Sequence, residues 1–198
     1  MKRKTYHHGD LRSALFKACH KLLVKREPNE ITLRLVADLA GVSHSAIYRH
    51  FKDKEELLEV MAAYGFQRLA QVQKRAFERE KSRTEGLIQL GLSYIKFAWK
   101  HPNYYKIMFM TRRDSPGSQL KMAQIKSYSV LVSACRQTLK EKQKQIEPRA
   151  YALMCWSMVH GYSNLCLETQ FPQAEAQALK QKNLPFARQV IQNAILPL

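Results

Sequence analysis

Residues 31–51 read Ile31-Thr32-Leu33-Arg34-Leu35-Val36-Ala37-Asp38-Leu39-Ala40-Gly41-Val42-Ser43-His44-Ser45-Ala46-Ile47-Tyr48-Arg49-His50-Phe51. This stretch decides the fold. Two short helices that cross around a turn of three or four residues need a small side chain in the first, and Ala37 supplies it. The turn needs a positive φ, which Gly41 adopts without steric cost. Thr32 caps the first helix, which runs to about Ala40. Ser43 caps the second, which ends near His50. Val42 points inward to pin the turn. Ile47 and Phe51, four apart, anchor the second helix to a core.

At about 100° per residue, placing Ile47 inward leaves His44, Ser45, Tyr48 and Arg49 outward. These compact, polar or cationic groups suit base edges and phosphates of a major groove. Arg34, early in the preceding helix, reaches the same groove. Lys54 stands where it can meet the flanking backbone. Lys2, Arg3 and Lys4 form a basic arm that can follow a duplex. A small helical domain with solvated polar faces is the competing reading. The coincidence of caps, turn glycine, anchors and reading face favours DNA.

Outward from this stretch the apolar period is helical almost throughout. Leu11, Leu15, Ala18 and Leu22 mark a first helix, ended by Glu27-Pro28-Asn29. Asp53 caps a longer helix with Glu55 and Glu56 in its first turn. Leu87, Leu90, Tyr94 and Phe97 mark another, stopped by Pro102. A short aromatic piece spans Tyr104 to Phe109, and residues 111–118 are the clearest loop. Helices then run to about Lys144, from Pro148 to about Thr169, and from about Pro185 onward. The expected fold is all-α: an N-terminal three-helix helix-turn-helix domain over residues 1–66, and a larger helical ligand-binding and dimerisation domain over residues 67–198.

The chain of 198 residues carries 33 Lys+Arg against 16 Asp+Glu, a formal charge of +17. Such an excess attracts polyanions. By segment the net charge is +7 over residues 1–54, −1 over 55–80, +10 over 81–149 and +1 over 150–198. Only the first basic block coincides with the groove-reading stretch; the larger one is read as a solvated face rather than an anion site. The basic N-terminus has no apolar segment behind it, so no signal peptide is expected. Residues 150–167 carry no formal charge, but His160, Asn164, two serines and a glycine mark a buried helix of a water-soluble protein. The four cysteines, Cys19, Cys135, Cys155 and Cys166, are far apart and have no C-x-x-C pair, which suits reduced thiols in the cytoplasm.

No Gly-rich phosphate loop, H-E-x-x-H or nucleophile elbow is present, so no catalytic residue, metal ligand or cofactor is assigned. Apolar stripes lie at Tyr151, Met154, Met158, Tyr162 and Leu165, and at Ala152, Trp156, Val159 and His160. With Phe186, Val190, Ile191 and Ala194 of the last helix they predict a four-helix homodimer interface. An effector pocket is expected among Tyr94, Phe97, Tyr104, Phe109, Tyr128, Trp156 and His160, with Met108, Met122, Met154 and Met158 as an adaptable wall. Ordinary core packing explains the same residues.

Ala37-x-x-Ala40-Gly41-Val42-Ser43, followed by Ile47-Tyr48-x-His50-Phe51-x-x-Lys54-x-x-Leu57, resembles the DNA-binding signature of the tetracycline-repressor (TetR) family. Tyr6-His7-His8-Gly9-Asp10-Leu11-Arg12 and Trp156-x-x-x-His160-Gly161 are similar to one branch of that family. The resemblance implies an all-helical homodimer that represses transcription at double-stranded operator DNA until a small-molecule effector binds its C-terminal domain; with the cysteine usage and the polar content of residues 150–167, the expectation is a cytoplasmic protein with no membrane partner. It implies base contacts from Arg34, His44 and Ser45, and phosphate contacts from Thr32, Tyr48, His50 and Lys54; Ser43 and Arg49 complete the expected set. A thiol-sensing regulator and a non-specific architectural DNA binder are the alternatives.

Overall fold

The computed structural model describes residues 8–110, 117–167 and 183–195. Among them are helices α1 (His8–Lys25), α2 (Leu33–Ala40), α3 (His44–Ile47), α4 (Lys54–Glu78), α5 (Arg83–Lys100), α6 (Pro102–Met110), α7 (Ser118–Glu141), α8 (Pro148–Leu167) and α9 (Leu184–Ile195), with a 3-10 turn at Pro28–Glu30 and no strand. The all-α expectation holds. Residues 111–116 of the expected 111–118 loop, and Thr169, lie outside the described residues, and Ser118 already begins α7.

The chain folds as two units. The first takes the residues up to Gly65 together with Asn103–Lys121; the second takes Phe66–Pro102 and the residues from Met122 onward. A helical segment distant in sequence therefore completes the first unit.

In the first unit, Leu15, Cys19, Ile31, Val36, Ile47, Phe51, Leu57 and Met61 are almost wholly buried. Each recurs at helical spacing within its element or closes a turn between elements. Pro102 stops α5, as the sequence suggests, and is also the first residue of α6. There its missing N–H costs nothing and its fixed φ suits a helix. The aromatic piece is therefore a full helix. It grips the end of α1: Asn103 donates from Nδ2 to the carbonyls of Leu23 (3.0 Å) and Arg26 (2.8 Å). These are carbonyls that α1 leaves without helical partners. Lys106 Nζ lies 2.6 Å from Glu27 Oε2, and the Tyr104 hydroxyl lies 2.7 Å from His20 Nδ1. A Cβ on Gly65 would stand 2.6 Å from Met108 Sδ, so α4 and α6 touch through the missing side chain.

In the second unit α5 is buried on nearly every side, including Leu87, Leu90, Tyr94, Ile95 and Trp99. Gly91 lets neighbours approach: a Cβ there would meet Ile191 Cδ1 of α9 at 3.1 Å and Val159 of α8 at 3.4 Å. Arg188 of α9 bonds Glu85 of α5 through both guanidinium arms, at 2.8 and 2.6 Å. That pairing holds the Glu85 carboxyl below its ordinary value. Glu141 at the end of α7 accepts the N–H of Arg83 at 2.7 Å, a carboxylate at the positive end of α5.

The buried face of α8 is Tyr151, Ala152, Cys155, Val159, Tyr162 and Ser163. The protomer itself covers only part of one expected stripe, Tyr151 and Tyr162. Met154 and Leu165 are 44% and 40% exposed, and Leu153 is 53% exposed. In α9, Ala187, Ile191 and Ile195 face inward, whereas Phe186 is 40% exposed. Two apolar sets share each helix, and only packing shows which one the protomer itself covers. Of the methionines expected around an effector, Met108 is buried in the first unit, and Met122 and Met154 are exposed.

Candidate nucleic-acid interface

The turn between α2 and α3 is built by Gly41, with φ 68° and ψ 34°. Its N–H donates to Asp38 O, and the N–H of Val42 donates to Ala37 O, both at 3.1 Å. This pair closes the end of α2 as a Schellman motif. Thr32 caps the other end, its hydroxyl accepting from Leu35 N at 3.1 Å. Ala37 is fully buried, as a close helix crossing requires.

α3 differs in detail from the expectation. Regular helix stops at Ile47, and one further turn carries the chain to Phe51, whose N–H still donates to Ile47 O at 3.0 Å. Ser43 stands at the N-cap but makes no side-chain cap bond; its hydroxyl lies 3.1 Å from that of Ser45. Two hydroxyls held together have spent the geometry that would reach back to the helix N–H groups.

The register is as expected. Ile47 and Phe51 are buried, and Arg12 lies over the Phe51 ring at 5.9 Å. Thr32, Arg34, Ser43, His44, Ser45, Tyr48 and Arg49 are all exposed, Tyr48 by 61%. An exposed tyrosine of this extent beside exposed cations can hydrogen-bond phosphates and bases. His50 and Lys54 are half-buried. Lys54 Nζ donates to Asn29 O at 2.9 Å, which ties the start of α4 to the turn before α2. Asp53 caps α4 as expected, accepting from Glu56 N at 2.8 Å. Lys2, Arg3 and Lys4 lie outside the described residues.

Sequence reasoning missed one contact here. His44 Nε2 lies 2.6 Å from Asp38 Oδ1. An acidic residue six before a histidine, across a glycine turn, is the signal that could have found it.

The residues expected around an effector divide between the units. In the second unit, Trp156 donates from Nε1 to the Tyr94 oxygen at 3.4 Å, and Tyr94 in turn lies 2.8 Å from His160 Nδ1. The Tyr128 and Trp156 rings are 5.9 Å apart. Burial pushes the His160 pKa below its ordinary value. A chain of polar atoms among rings can orient a small molecule in an otherwise apolar site. Phe97 belongs to the same unit and packs against His101, with ring centres 5.2 Å apart. Tyr104 and Phe109 belong to the first unit, where they meet His20 and Tyr105.

Among the described residues no group of three or more His, Cys, Asp or Glu is placed to hold a metal. Cys19, Cys135 and Cys155 are buried, and burial pushes the Cys19 thiol up to about 12.

Two family models match. Residues 15–61 match that of bacterial regulatory proteins of the tetR family, and residues 87–182 match the tetracyclin repressor-like C-terminal domain. No curated protein sequence matches. Among solved structures, a protein of unknown function from Rhodococcus sp. RHA1 is 26% identical, with a TM-score of 0.79 over 98% of this chain and 99% of that one. The transcriptional regulator FadR from Bacillus subtilis, in complex with stearoyl-CoA, is 11% identical, with a TM-score of 0.70 over 93% of this chain and 97% of that one. The TetR family transcriptional regulator PfmR from Thermus thermophilus is 15% identical, with a TM-score of 0.65 over 96% and 97%. The last two are likenesses of fold.

Proposed function

This chain belongs to the tetracycline-repressor family of DNA-binding transcriptional regulators, which act as dimers on operator DNA, and on that premise we propose that α2 and α3 read its operator and that a small molecule held in the second unit releases it. The observation that carries the DNA reading is the register of the second helix: His44, Ser45, Tyr48 and Arg49 stand outward while Ile47 and Phe51 are buried. In this reading Arg34, His44 and Ser45 meet bases. Thr32, Tyr48, His50 and Lys54 meet phosphate, with Ser43 and Arg49 beside them and the arm of Lys2, Arg3 and Lys4 along the duplex. Residues 1–66 form the DNA-binding module and residues 67–198 the effector-binding and dimerisation module, with the α6 segment of the latter packed into the former.

Tyr94, Trp156 and His160 are the polar core of the effector site, and Tyr128 and Phe97 add apolar surface. FadR from Bacillus subtilis holds stearoyl-CoA on a similar fold; the rings and hydroxyls of this chain suit an effector that is largely apolar with a few polar atoms. The protein represses, works in the cytoplasm and catalyses no reaction. Among the described residues no helix is long and apolar enough to cross a membrane. A thiol-sensing regulator is less well supported, because Cys19, Cys135 and Cys155 are buried away from an oxidant, and the raised pKa of Cys19 leaves that thiol little thiolate.

Fluorescence anisotropy on the upstream DNA of neighbouring genes tests the reading. Tyr48→Ala weakens binding to every sequence. Arg34→Ala costs about 1–3 kcal/mol at one base position and relaxes preference there. Unchanged binding in both variants would refute the assignment. A metabolite that binds by calorimetry without loosening DNA would refute release by an effector.

A further inference from the structure

α3 is a single turn of regular helix, and its first residue, His44, is tethered. Nε2 of His44 lies 2.6 Å from Oδ1 of Asp38 on α2, with the two side chains 45% and 58% exposed. Gly41 makes this meeting possible: its left-handed turn brings the start of α3 back beside the last turn of α2.

An ionised carboxylate only accepts hydrogen bonds. Nε2 therefore carries its proton, whether the ring is neutral or cationic. A ring held through Nε2 offers Nδ1 to whatever lies in front of α3. Without that bond the two ring nitrogens exchange roles through ring rotation and tautomerism. Base pairs in the major groove differ by where they place donors and acceptors. A reading group whose presented atom is not fixed therefore accepts more than one base.

We propose that Asp38 is a specificity-determining positioning residue: it touches no base, but by holding the ring of His44 through Nε2 it restricts which base His44 accepts in each half-site. The inference rests on the reading of α3 as the groove helix. A second role is physically possible for the same carboxylate. Its negative charge repels phosphates, so its loss would strengthen binding to all sequences alike. Discrimination between bases separates the two roles; overall affinity does not.

The experiment selects sites from a randomised duplex pool with the wild-type protein. The selected site and its single-base variants are then titrated with wild type, Asp38→Ala, Asp38→Asn, His44→Ala and the Asp38→Ala/His44→Ala double variant, each first shown to be folded by circular dichroism. Both Asp38 variants are expected to lose roughly tenfold in discrimination at one position per half-site. That position is the one His44→Ala affects, and the double variant discriminates no worse than His44→Ala alone. A uniform change in affinity across all bases overturns the proposal, as does an Asp38 effect that persists undiminished beside His44→Ala. Failure of the wild type to select any sequence removes the operator reading itself. A selected site indifferent to both Asp38 and His44 removes this inference alone.

Discussion

Gly41 holds the helix-turn-helix by its backbone alone. A Cβ there would meet nothing within 4 Å, yet φ is 68°. The cost of a side chain is thus conformational rather than steric. Gly41→Ala is expected to destabilise the first unit by about 1–2 kcal/mol, with Gly41→Asn milder because asparagine tolerates this region; urea unfolding followed by circular dichroism measures both. His160 gives a pH dependence whose sign follows from burial. Its folded pKa lies below the ordinary 6.5. As pH falls through about 6.5 the unfolded chain takes up a proton that the folded chain refuses, so stability drops until the folded pKa is passed. Melting temperatures measured from pH 7.5 downward should fall in that window, and His160→Gln should flatten the dependence. At this scale the sequence already showed the inward and outward sides of the candidate interface, since burial of Ile47 and exposure of Tyr48 follow from helical period. It did not expose the Asp38–His44 bond, because the period says which way a side chain points and not which atom it meets.

The elements that sequence period resolves least are those that serve two neighbours. α6 reads as a short aromatic piece, yet it closes the end of α1 through Asn103. Asn103→Ala leaves two carbonyls without that donor and is expected to cost about 1–2 kcal/mol. Hydrogen exchange should quicken in the last turn of α1 ahead of the rest of the helix. α9 hangs on α5 through the Glu85–Arg188 pair, whose side chains are 30% and 34% exposed. Partial exposure screens such a pair, so Arg188→Ala should cost only about 1 kcal/mol. Because the folded Glu85 carboxyl has a lowered pKa, that contribution is present above about 4.5 and disappears as acid titrates it. α8 shows the same ambiguity in apolar form: nearly all of its faces are apolar in sequence, and packing alone sorts Tyr151 and Val159 inward from Leu153 and Met154 outward.

For the molecule as a whole, Leu153, Met154, Leu165 and Phe186 are exposed apolar side chains on α8 and α9, the two helices from which we propose a homodimer interface is built. A Leu153→Glu/Phe186→Glu variant should sediment as a monomer at micromolar concentration. Its operator affinity should fall roughly 100-fold or more, since two linked readers bind far more tightly than one. A variant that stays dimeric would place the interface elsewhere. The net charge of +17 adds a steep salt dependence to any DNA binding. Charge did not locate the reading helices, however, because the larger basic excess lies over residues 81–149.

The sequence by itself determined the helical class, the glycine turn, the caps at Thr32 and Asp53 and the outward row on α3. Each of these follows from φ preference, capping chemistry or helical period over neighbouring residues, so no distant contact is needed to read it. Tertiary structure decided what depends on residues far apart in the chain. It recruited α6 to the first unit, drew Tyr94, Trp156 and His160 together while leaving Tyr104 in the other unit, and chose which apolar face of α8 stays open. Periodicity shows that a face is apolar; only the packed neighbours decide what covers it.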